Sequence, residues 1–278
     1  MQAEGTKNRF RIAFTQSLRL LFAFVLLTGC ESSTDETRPL TIETDAELPL
    51  IGIDQSAQLQ AIVSTNDRQT IVTGEVPWDS SDESVIVVSM SGLATSTGIG
   101  SARVSTRFEE AQTSIELVVV PPYFLPLSPG IYEMSQGFRG SFSHRGTFTY
   151  SYDFIMSIGT LLVASRAGTI YAVEDRFPNG TGQFIHTNFV VVDHHDGTFT
   201  RYLHLTRRGA LVEVGDWVEV GEPIGLSGNS GFSGGPHLHF DVTIDCGVPL
   251  DVCQTIEFWL ANGPARRLTS GTIVQLEE

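Results

Sequence analysis

A pair of histidines late in the chain has the spacing expected of metal ligands. His237 and His239 flank one leucine in the run Gly-Gly-Pro-His-Leu-His-Phe-Asp-Val. In a β-strand alternate residues share a face, so both imidazoles point the same way while Leu238 and Phe240 face the core. A strand with one face in solvent would show the same pattern. The pair is therefore a candidate metal site that needs further ligands.

Three more residues are candidates for the same site. His204 has apolar neighbours in Arg-Tyr-Leu-His-Leu, where a histidine alone would more often be structural. Asp153 lies between two aromatic residues in a predicted strand, and His144 precedes it by nine positions. A buried carboxylate without a partner is costly, and zinc would supply that partner. Together these residues indicate metal-dependent hydrolysis.

The elements that must position these residues are predicted to be strands. Asp196-Gly197 separates residues 189–192 from residues 198–203, which is a strong β-hairpin signal. From about residue 130 onward the sequence favours strands, so the part that holds the histidines is predicted to be mostly antiparallel β. Residues 256–261 are the exception and are predicted to form a short helix that ends at Asn262-Gly263.

The first half of the chain has its own strand pattern. Residues 40–120 break into short alternating or β-branched runs separated by turn signals, and Pro121-Pro122 ends the series. Residues 77–85, 91–95 and 100–104 resemble the bacterial immunoglobulin-like domains of surface proteins. The resemblance implies an immunoglobulin-like β-sandwich over residues 39–121. Trp78 is expected to be a core residue there, and stacking on a ligand such as a glycan is the alternative.

The histidine segments resemble the lysostaphin-type zinc endopeptidases of peptidoglycan. The resemblance runs from about residue 138 to residue 242 and includes residues 158–160, 163–168, 188–193, 214–221 and 224–231. It implies that His144, Asp153 and His239 bind zinc, and that His204 and His237 are catalytic residues beside the metal-bound water. The family commonly places its first histidine and aspartate four positions apart, so the spacing of His144 and Asp153 is a departure.

The resemblance also implies an activity and a fold. Residues 126–278 would form an all-β peptidase domain that hydrolyses peptide bonds in peptidoglycan stems or cross-bridges. A zinc site with three protein ligands leaves a position open for water and lowers its pKa toward about 7. One of His204 and His237 would assist deprotonation and the other would stabilise the tetrahedral intermediate, in an order that the sequence leaves open. The alternatives are an inactive regulator or wall-binding module with this fold, and an adhesin-like protein that acts through its immunoglobulin-like domain.

The start of the chain has the layout of an export signal. Basic residues precede the apolar run 20–27, which is shorter than the roughly 20 residues that span a bilayer. The run leads into Leu27-Thr28-Gly29-Cys30, which resembles the lipobox of bacterial lipoproteins. Residues 1–29 are therefore predicted to be a signal peptide, Cys30 the lipidated residue, and residues 30–38 a polar tether. No aspartate follows Cys30, which favours the outer membrane, facing the periplasm or the surface.

Composition and the remaining residues narrow the function further. The net charge of -15 over 278 residues argues against nucleic acid as a partner. Cys246 and Cys253 are predicted to form a disulfide, with a metal pair as the less favoured alternative. The glycine-rich residues 225–235 lack the lysine of a phosphate-binding loop and are expected to wall the substrate groove. Three histidines in turns or loops are predicted to be non-catalytic, and two of them to be exposed at a turn: His186, and the turn pair His194 and His195.

Overall fold

The computed structural model describes residues 39–44, 46–65, 68–263 and 267–277. The predicted signal peptide, Cys30 and the tether lie outside the described residues. The described part of the chain consists of strands, loops and short 3-10 helices, so the prediction of an all-β chain is confirmed at this level. None of its helices has the length and apolar character needed to cross a bilayer. The 3-10 helices are Thr73–Glu75, Gly146–Phe148 and Phe184–His186.

The described residues before the proline pair contain nine strands. They are β1 Leu40–Thr44, β2 Leu50–Ile51, β3 Ser56–Thr65, β4 Arg68–Ile71, β5 Trp78–Ser80, β6 Ile86–Val88, β7 Leu93–Ser96, β8 Gly100–Phe108 and β9 Ala111–Val120. The last of them ends directly before Pro121-Pro122, where the sequence predicts the series to stop.

These nine strands form two sheets that contribute to a common apolar cluster. The first has the order β1-β3-β7-β6 with β4 beside β3, and the second has the order β2-β9-β8-β5. Leu59 and Ile86 from the first sheet share a buried apolar cluster with Val104 and Leu117 from the second. Trp78 is half-buried against the same cluster, and its Nε1 donates to the Thr73 carbonyl over 3.1 Å. The two sheets share buried apolar residues, and the immunoglobulin-like β-sandwich stays a prediction.

The second half contributes ten strands. They are β10 Gly130–Gln136, β11 Ser151–Ile155, β12 Leu161–Val163, β13 Gly168–Glu174, β14 Phe189–Asp193, β15 Thr198–Leu203, β16 Trp217–Val218, β17 Pro223–Leu226, β18 His237–Ile244 and β19 Ile273–Leu276. Eight of them form one sheet in the order β16-β13-β14-β15-β18-β11-β10-β19, and β12 pairs with β17. These pairings are antiparallel, as predicted. The hairpin across Asp196-Gly197 is confirmed as β14–β15.

The register of three central strands brings the candidate ligands together. β18 lies between β11 and β15, and His239 stands directly opposite Asp153 on one side and Leu203 on the other. Along β18, Leu238 and Phe240 are fully buried in the main apolar core. His237 and His239 alternate with them and line a cavity on the other face. The alternation that the sequence predicts for this strand is therefore present.

The predicted helix over residues 256–261 is wrong. The backbone there is extended, because its amides bond to distant carbonyls: Ile256 N donates to Val242 O and Ala261 N donates to Tyr123 O, over 2.9 and 2.8 Å. The side chain of Phe258 is buried, and its ring contacts four aromatic rings of the core, those of Tyr123, Phe138, Tyr152 and Phe240. Burial of this large ring outweighs the weak helical preference of six residues.

The predicted disulfide is present. Cys246 and Cys253 are bonded, with their Cα atoms 5.2 Å apart. The bond closes a loop of eight residues that directly follows β18, the strand that carries the histidine pair. The disulfide therefore fastens the loop that follows the strand with the histidine pair.

Candidate metal centre

Three of the predicted ligands form a tight, buried group. His144 Nε2 lies 3.1 Å from Asp153 Oδ1, and His239 Nδ1 lies 2.8 Å from the same oxygen. One candidate ligand atom from each residue lies within 4.8 Å of the other two. All three side chains are buried. This is the size of group that a single metal ion requires.

The orientation of His144 indicates that a cation belongs in this group. Its Nδ1 donates a hydrogen bond to the Gly137 carbonyl over 2.8 Å, which leaves a lone pair on Nε2. That Nε2 is buried and has no hydrogen-bond donor among the described residues, although a carboxylate oxygen of Asp153 faces it. Two acceptors at this distance repel each other unless a proton or a metal cation lies between them. Two imidazole nitrogens and one carboxylate oxygen are a donor set that suits catalytic zinc.

The long spacing between His144 and Asp153 is accommodated by a small loop. The 3-10 helix Gly146–Phe148 reverses the chain between the two residues. Thr149 O accepts a hydrogen bond from Arg139 N over 2.7 Å, and Tyr150 N donates to Thr255 Oγ1 over 3.0 Å. These bonds tie the inserted residues to the segments that contain Arg139 and Thr255. The insertion therefore turns back on itself, and His144 returns to the carboxylate.

His204 and His237 stand beside the three ligands. Their ring centres are 4.6 Å apart, and His237 Nε2 lies 3.7 Å from Asp153 Oδ1. His204 Nδ1 donates to the Ser230 carbonyl over 2.7 Å, and His237 Nδ1 donates to the Gly235 carbonyl over 2.8 Å. Each ring therefore keeps an unprotonated Nε2. His204 has a φ of 68°, a left-handed conformation that turns the chain at the end of β15, and such strain is common at functional sites.

The surroundings shift the pKa values of the site residues in opposite directions. Burial, and after it the neighbouring His237 and His239, lower the pKa of His204 to about 3. Burial also lowers the pKa of His237. For His239 burial is outweighed by Asp153 and Asp241, which raise its pKa to about 9 without a metal. Asp153 is held well below its usual pKa despite burial, chiefly by the charge of His239. At neutral pH the two flanking imidazoles are thus neutral bases.

The group opens into a cavity of about 630 Å³. Residues 232–237 form one wall, which agrees with the expectation that the glycine-rich segment before β18 lines a groove. Phe142 and Phe232 are largely exposed at the cavity, 75% and 61%, and Phe184 is also exposed. The three candidate ligands therefore lie where a peptide with apolar side chains can approach them.

Two residues beside the site were not predicted. Asp241 Oδ2 lies 3.1 Å from His239 Nε2, on the side away from Asp153. Arg201 forms two hydrogen bonds with Asp241, Nε to Oδ1 over 2.7 Å and Nη2 to Oδ2 over 2.8 Å. Asp241 could have been found, because it shares the face of His237 and His239 in the same alternating run. Arg201 gave no such signal, because its partner is set by the register between two strands.

The remaining histidines lie away from the ligands. His186 stacks on Phe177, with ring centres 4.6 Å apart. His195 is exposed at the turn as predicted and bonds to Thr169 Oγ1 over 2.9 Å. His194 is buried, so its predicted exposure is wrong. Its ring is enclosed because both nitrogens find oxygen partners inside the fold, the Ala167 carbonyl and the Thr200 hydroxyl.

Comparisons with known proteins agree with this geometry. Residues 147–252 match peptidase family M23. An uncharacterized metalloprotease of Buchnera aphidicola is 38% identical over 90 residues, which cover 32% of this chain and 22% of that protein. Peptidoglycan DD-endopeptidase ShyA of Vibrio cholerae is 39% identical over 101 residues, 36% of this chain and 20% of that protein. Lysostaphin of Staphylococcus simulans is 40% identical over 96 residues, 34% of this chain and 18% of that protein.

The similarity is confined to one part of each protein. The chain spans no more than 22% of the length of these relatives. The matched segment contains Asp153, His204, His237 and His239, and His144 stands three positions before it. Residues 147–252 are therefore similar to peptidase family M23, and this similarity supports a peptide hydrolase over that segment.

Proposed function

We propose that this chain is a zinc-dependent endopeptidase that hydrolyses peptide bonds in peptidoglycan. The observation that carries the proposal is the buried group in which His144 Nε2 and His239 Nδ1 both face Asp153 Oδ1, over 3.1 and 2.8 Å. Protein atoms alone leave the lone pair of His144 unmatched, and a divalent cation satisfies all three side chains at once. His144, Asp153 and His239 would hold the ion.

His204 and His237 would transfer protons during the reaction. A bound zinc ion with three protein ligands supplies Lewis acidity and an activated water. His204 and His237 lie at the cavity with neutral rings, and hydrogen bonds to backbone carbonyls fix the orientation of both. One ring would accept the proton of the attacking water at its free Nε2. The other would have to gain a proton on its own Nε2 before it could donate to the oxygen on which charge develops. His237 is the nearer to the ligands, through its 3.7 Å approach to Asp153.

The substrate class rests on the named relatives. ShyA is a peptidoglycan DD-endopeptidase, and lysostaphin is also similar to this chain over 96 residues. The proposal carries that substrate class, a peptide of the cell wall, to this chain. The cavity is compatible with it, because exposed apolar side chains such as Phe142 and Phe232 can pack against a peptide that lies across the metal group.

The proposal includes an envelope location. The apolar run that ends in Leu27-Thr28-Gly29-Cys30 supports export and lipid attachment at Cys30, with the membrane as partner through that lipid. A lipid anchor would keep the peptidase close to its insoluble substrate. Mass spectrometry of the mature protein should show a chain that begins at Cys30 and carries acyl groups, and Cys30→Ala should abolish the modification.

Zinc content and wall digestion test the function together. The purified chain should contain about one zinc ion per molecule, and it should lower the turbidity of purified peptidoglycan. A chelator should remove both properties, and zinc should restore them. His237→Ala is the matched variant, because it should lose digestion and keep zinc. A folded wild-type chain that contains zinc but releases no peptide from peptidoglycan would favour the alternative of an inactive regulator or wall-binding module.

A further inference from the structure

A buried ion pair lies directly behind the candidate metal centre. Arg201 on β15 and Asp241 on β18 stand opposite each other in the sheet, and neither side chain is exposed. Both carboxylate oxygens accept from the guanidinium, over 2.7 and 2.8 Å. Such a pair carries a large desolvation cost, and apolar residues of similar volume would hold two strands together equally well. A stabilising role alone is therefore a weak explanation for it.

The pair is joined to a ligand by a hydrogen bond. His239 Nε2 lies 3.1 Å from Asp241 Oδ2, and His239 Nδ1 faces Asp153. An imidazole binds a metal only through a nitrogen without a proton, and the partner of the other nitrogen decides which one that is. With Nε2 donating to Asp241, the lone pair of His239 is on Nδ1, toward the other ligands. Asp241 would thus fix both the tautomer and the tilt of the ring.

Arg201 in turn holds Asp241 and reaches the disulfide loop. Its Nη1 donates to the Leu250 carbonyl over 3.0 Å, inside the loop that Cys246 and Cys253 close. The bidentate contact leaves Asp241 one orientation, with Oδ2 toward His239. Contacts run without a break from the loop to the ligand: Leu250 to Arg201, Arg201 to Asp241, and Asp241 to His239.

We propose that Arg201 and Asp241 are positioning residues that fix His239 for metal binding, and that the Cys246–Cys253 loop anchors them. This inference rests on the proposed function, because it assigns the two residues a role toward the metal of that site. It requires no contact of either residue with the substrate. Its measurable consequence is zinc affinity rather than the chemical step alone.

The test measures zinc affinity by competition with a chromophoric chelator. The double variant Arg201→Gln/Asp241→Asn removes both charges, keeps the shape of the side chain at position 241 and leaves a shorter polar side chain at position 201. We expect its zinc dissociation constant to rise by about 10- to 100-fold, the usual effect of losing a partner behind a metal-bound histidine. The visible spectrum of the cobalt-loaded protein should change as well, because the orientation of one ligand is no longer fixed.

A second ion pair between an arginine and an aspartate, partly exposed, provides the control. Arg166 and Asp196 are 2.7 Å apart beside the β14–β15 turn and contact none of the three ligands. Arg166→Gln/Asp196→Asn makes the same chemical change there and should leave zinc affinity within about twofold. If the first double variant does not fold, Arg201→Lys replaces it, because lysine keeps the charge but cannot bridge both oxygens of Asp241 and the loop. It should weaken zinc binding by about tenfold.

The outcomes separate this inference from the proposed function. Wild-type protein that binds no zinc would overturn both. Wild-type protein that binds zinc, with a folded Arg201 and Asp241 variant of equal affinity, would overturn the positioning role only. Equal losses in the two double variants would also overturn it, since the effect would then be general. Cys246→Ser/Cys253→Ser tests the outer link, and an unchanged zinc affinity in that variant would overturn the anchoring by the loop.

Discussion

Two buried sets of polar groups beside the same sheet both contain histidine, the structural set around His194 and the metal set around His144. They differ in how their donors and acceptors match. His194 is enclosed with its Nδ1 donating to the Ala167 carbonyl and its Nε2 accepting from the Thr200 hydroxyl, over 2.8 and 3.0 Å. Every polar atom of that ring is satisfied by neutral protein groups. His144 is also enclosed, but its free Nε2 faces the carboxylate of Asp153.

The comparison shows what separates a structural histidine from a ligand. Burial alone does not separate them, because His194 and His144 are both buried. The difference is that two hydrogen-bond acceptors, His144 Nε2 and Asp153 Oδ1, face each other with no donor between them, where a cation would fit. A histidine whose two nitrogens are both satisfied stabilises the fold, whereas one whose lone pair meets another acceptor marks a place for a metal ion.

Loss of a ligand should have the largest effect. His239→Gln should lower kcat/KM for peptidoglycan cleavage by about 10⁴-fold or more, because the metal supplies both the nucleophile and several kcal/mol of transition-state stabilisation. His194→Gln is the matched change in the structural set and should keep kcat/KM within about threefold after correction for folded protein. Peptide release from purified peptidoglycan measures both. Equal losses of kcat/KM in the two variants would mean that His239 and His194 do not differ as ligand and structural histidine.

The sequence predicted the parts of this comparison that depend on local pattern. Alternation within His-Leu-His-Phe correctly places two imidazoles on one face, and the Asp-Gly turn correctly gives the β14–β15 hairpin. These features arise from neighbours in the chain, so a single sequence contains them. The lysostaphin-type resemblance then selected the residues that the structure brings together, including His144 across its long spacing.

Features that depend on distant partners were missed. His194 was expected at the surface because its neighbours are polar, and only the fold brings Ala167 and Thr200 to its ring. Residues 256–261 were expected to be helical because the aromatic core that buries Phe258 comes from four remote segments. Arg201 opposite Asp241 is likewise a matter of strand register. Tertiary contacts overrode local preference in each case.

Within the metal set, the flanking histidines should behave differently from the ligands. His237→Ala and His204→Ala should each lower kcat by about 100- to 1,000-fold, the range expected when one proton-transfer group is lost. Zinc content should stay at about one per chain in both, since neither ring is needed for the three-residue group. Metal analysis of the purified variants together with initial rates provides the measurement. Loss of zinc in either variant would make that residue a ligand.

The pH dependence of stability should show whether His194 is a structural histidine. Burial, which outweighs the nearby Asp196 and Asp193, lowers the pKa of His194 to about 4, whereas an unfolded chain has a histidine pKa of about 6.5. As the pH falls below about 6.5 the unfolded state binds the proton first, so the stability due to neutral His194 decreases and is lost at about pH 4. The loss should approach about 3 kcal/mol.

The difference between wild type and His194→Gln isolates this contribution. Both proteins contain the same metal-site histidines, including His204 with its own lowered pKa, so those contributions cancel. Urea unfolding of the zinc-free proteins from pH 7.5 to pH 4 should show wild type losing more stability than the variant, with the gap opening below pH 6.5. Parallel curves would mean that His194 titrates like an exposed histidine. That result would mean that His194 is not held as a neutral ring by two matched hydrogen bonds.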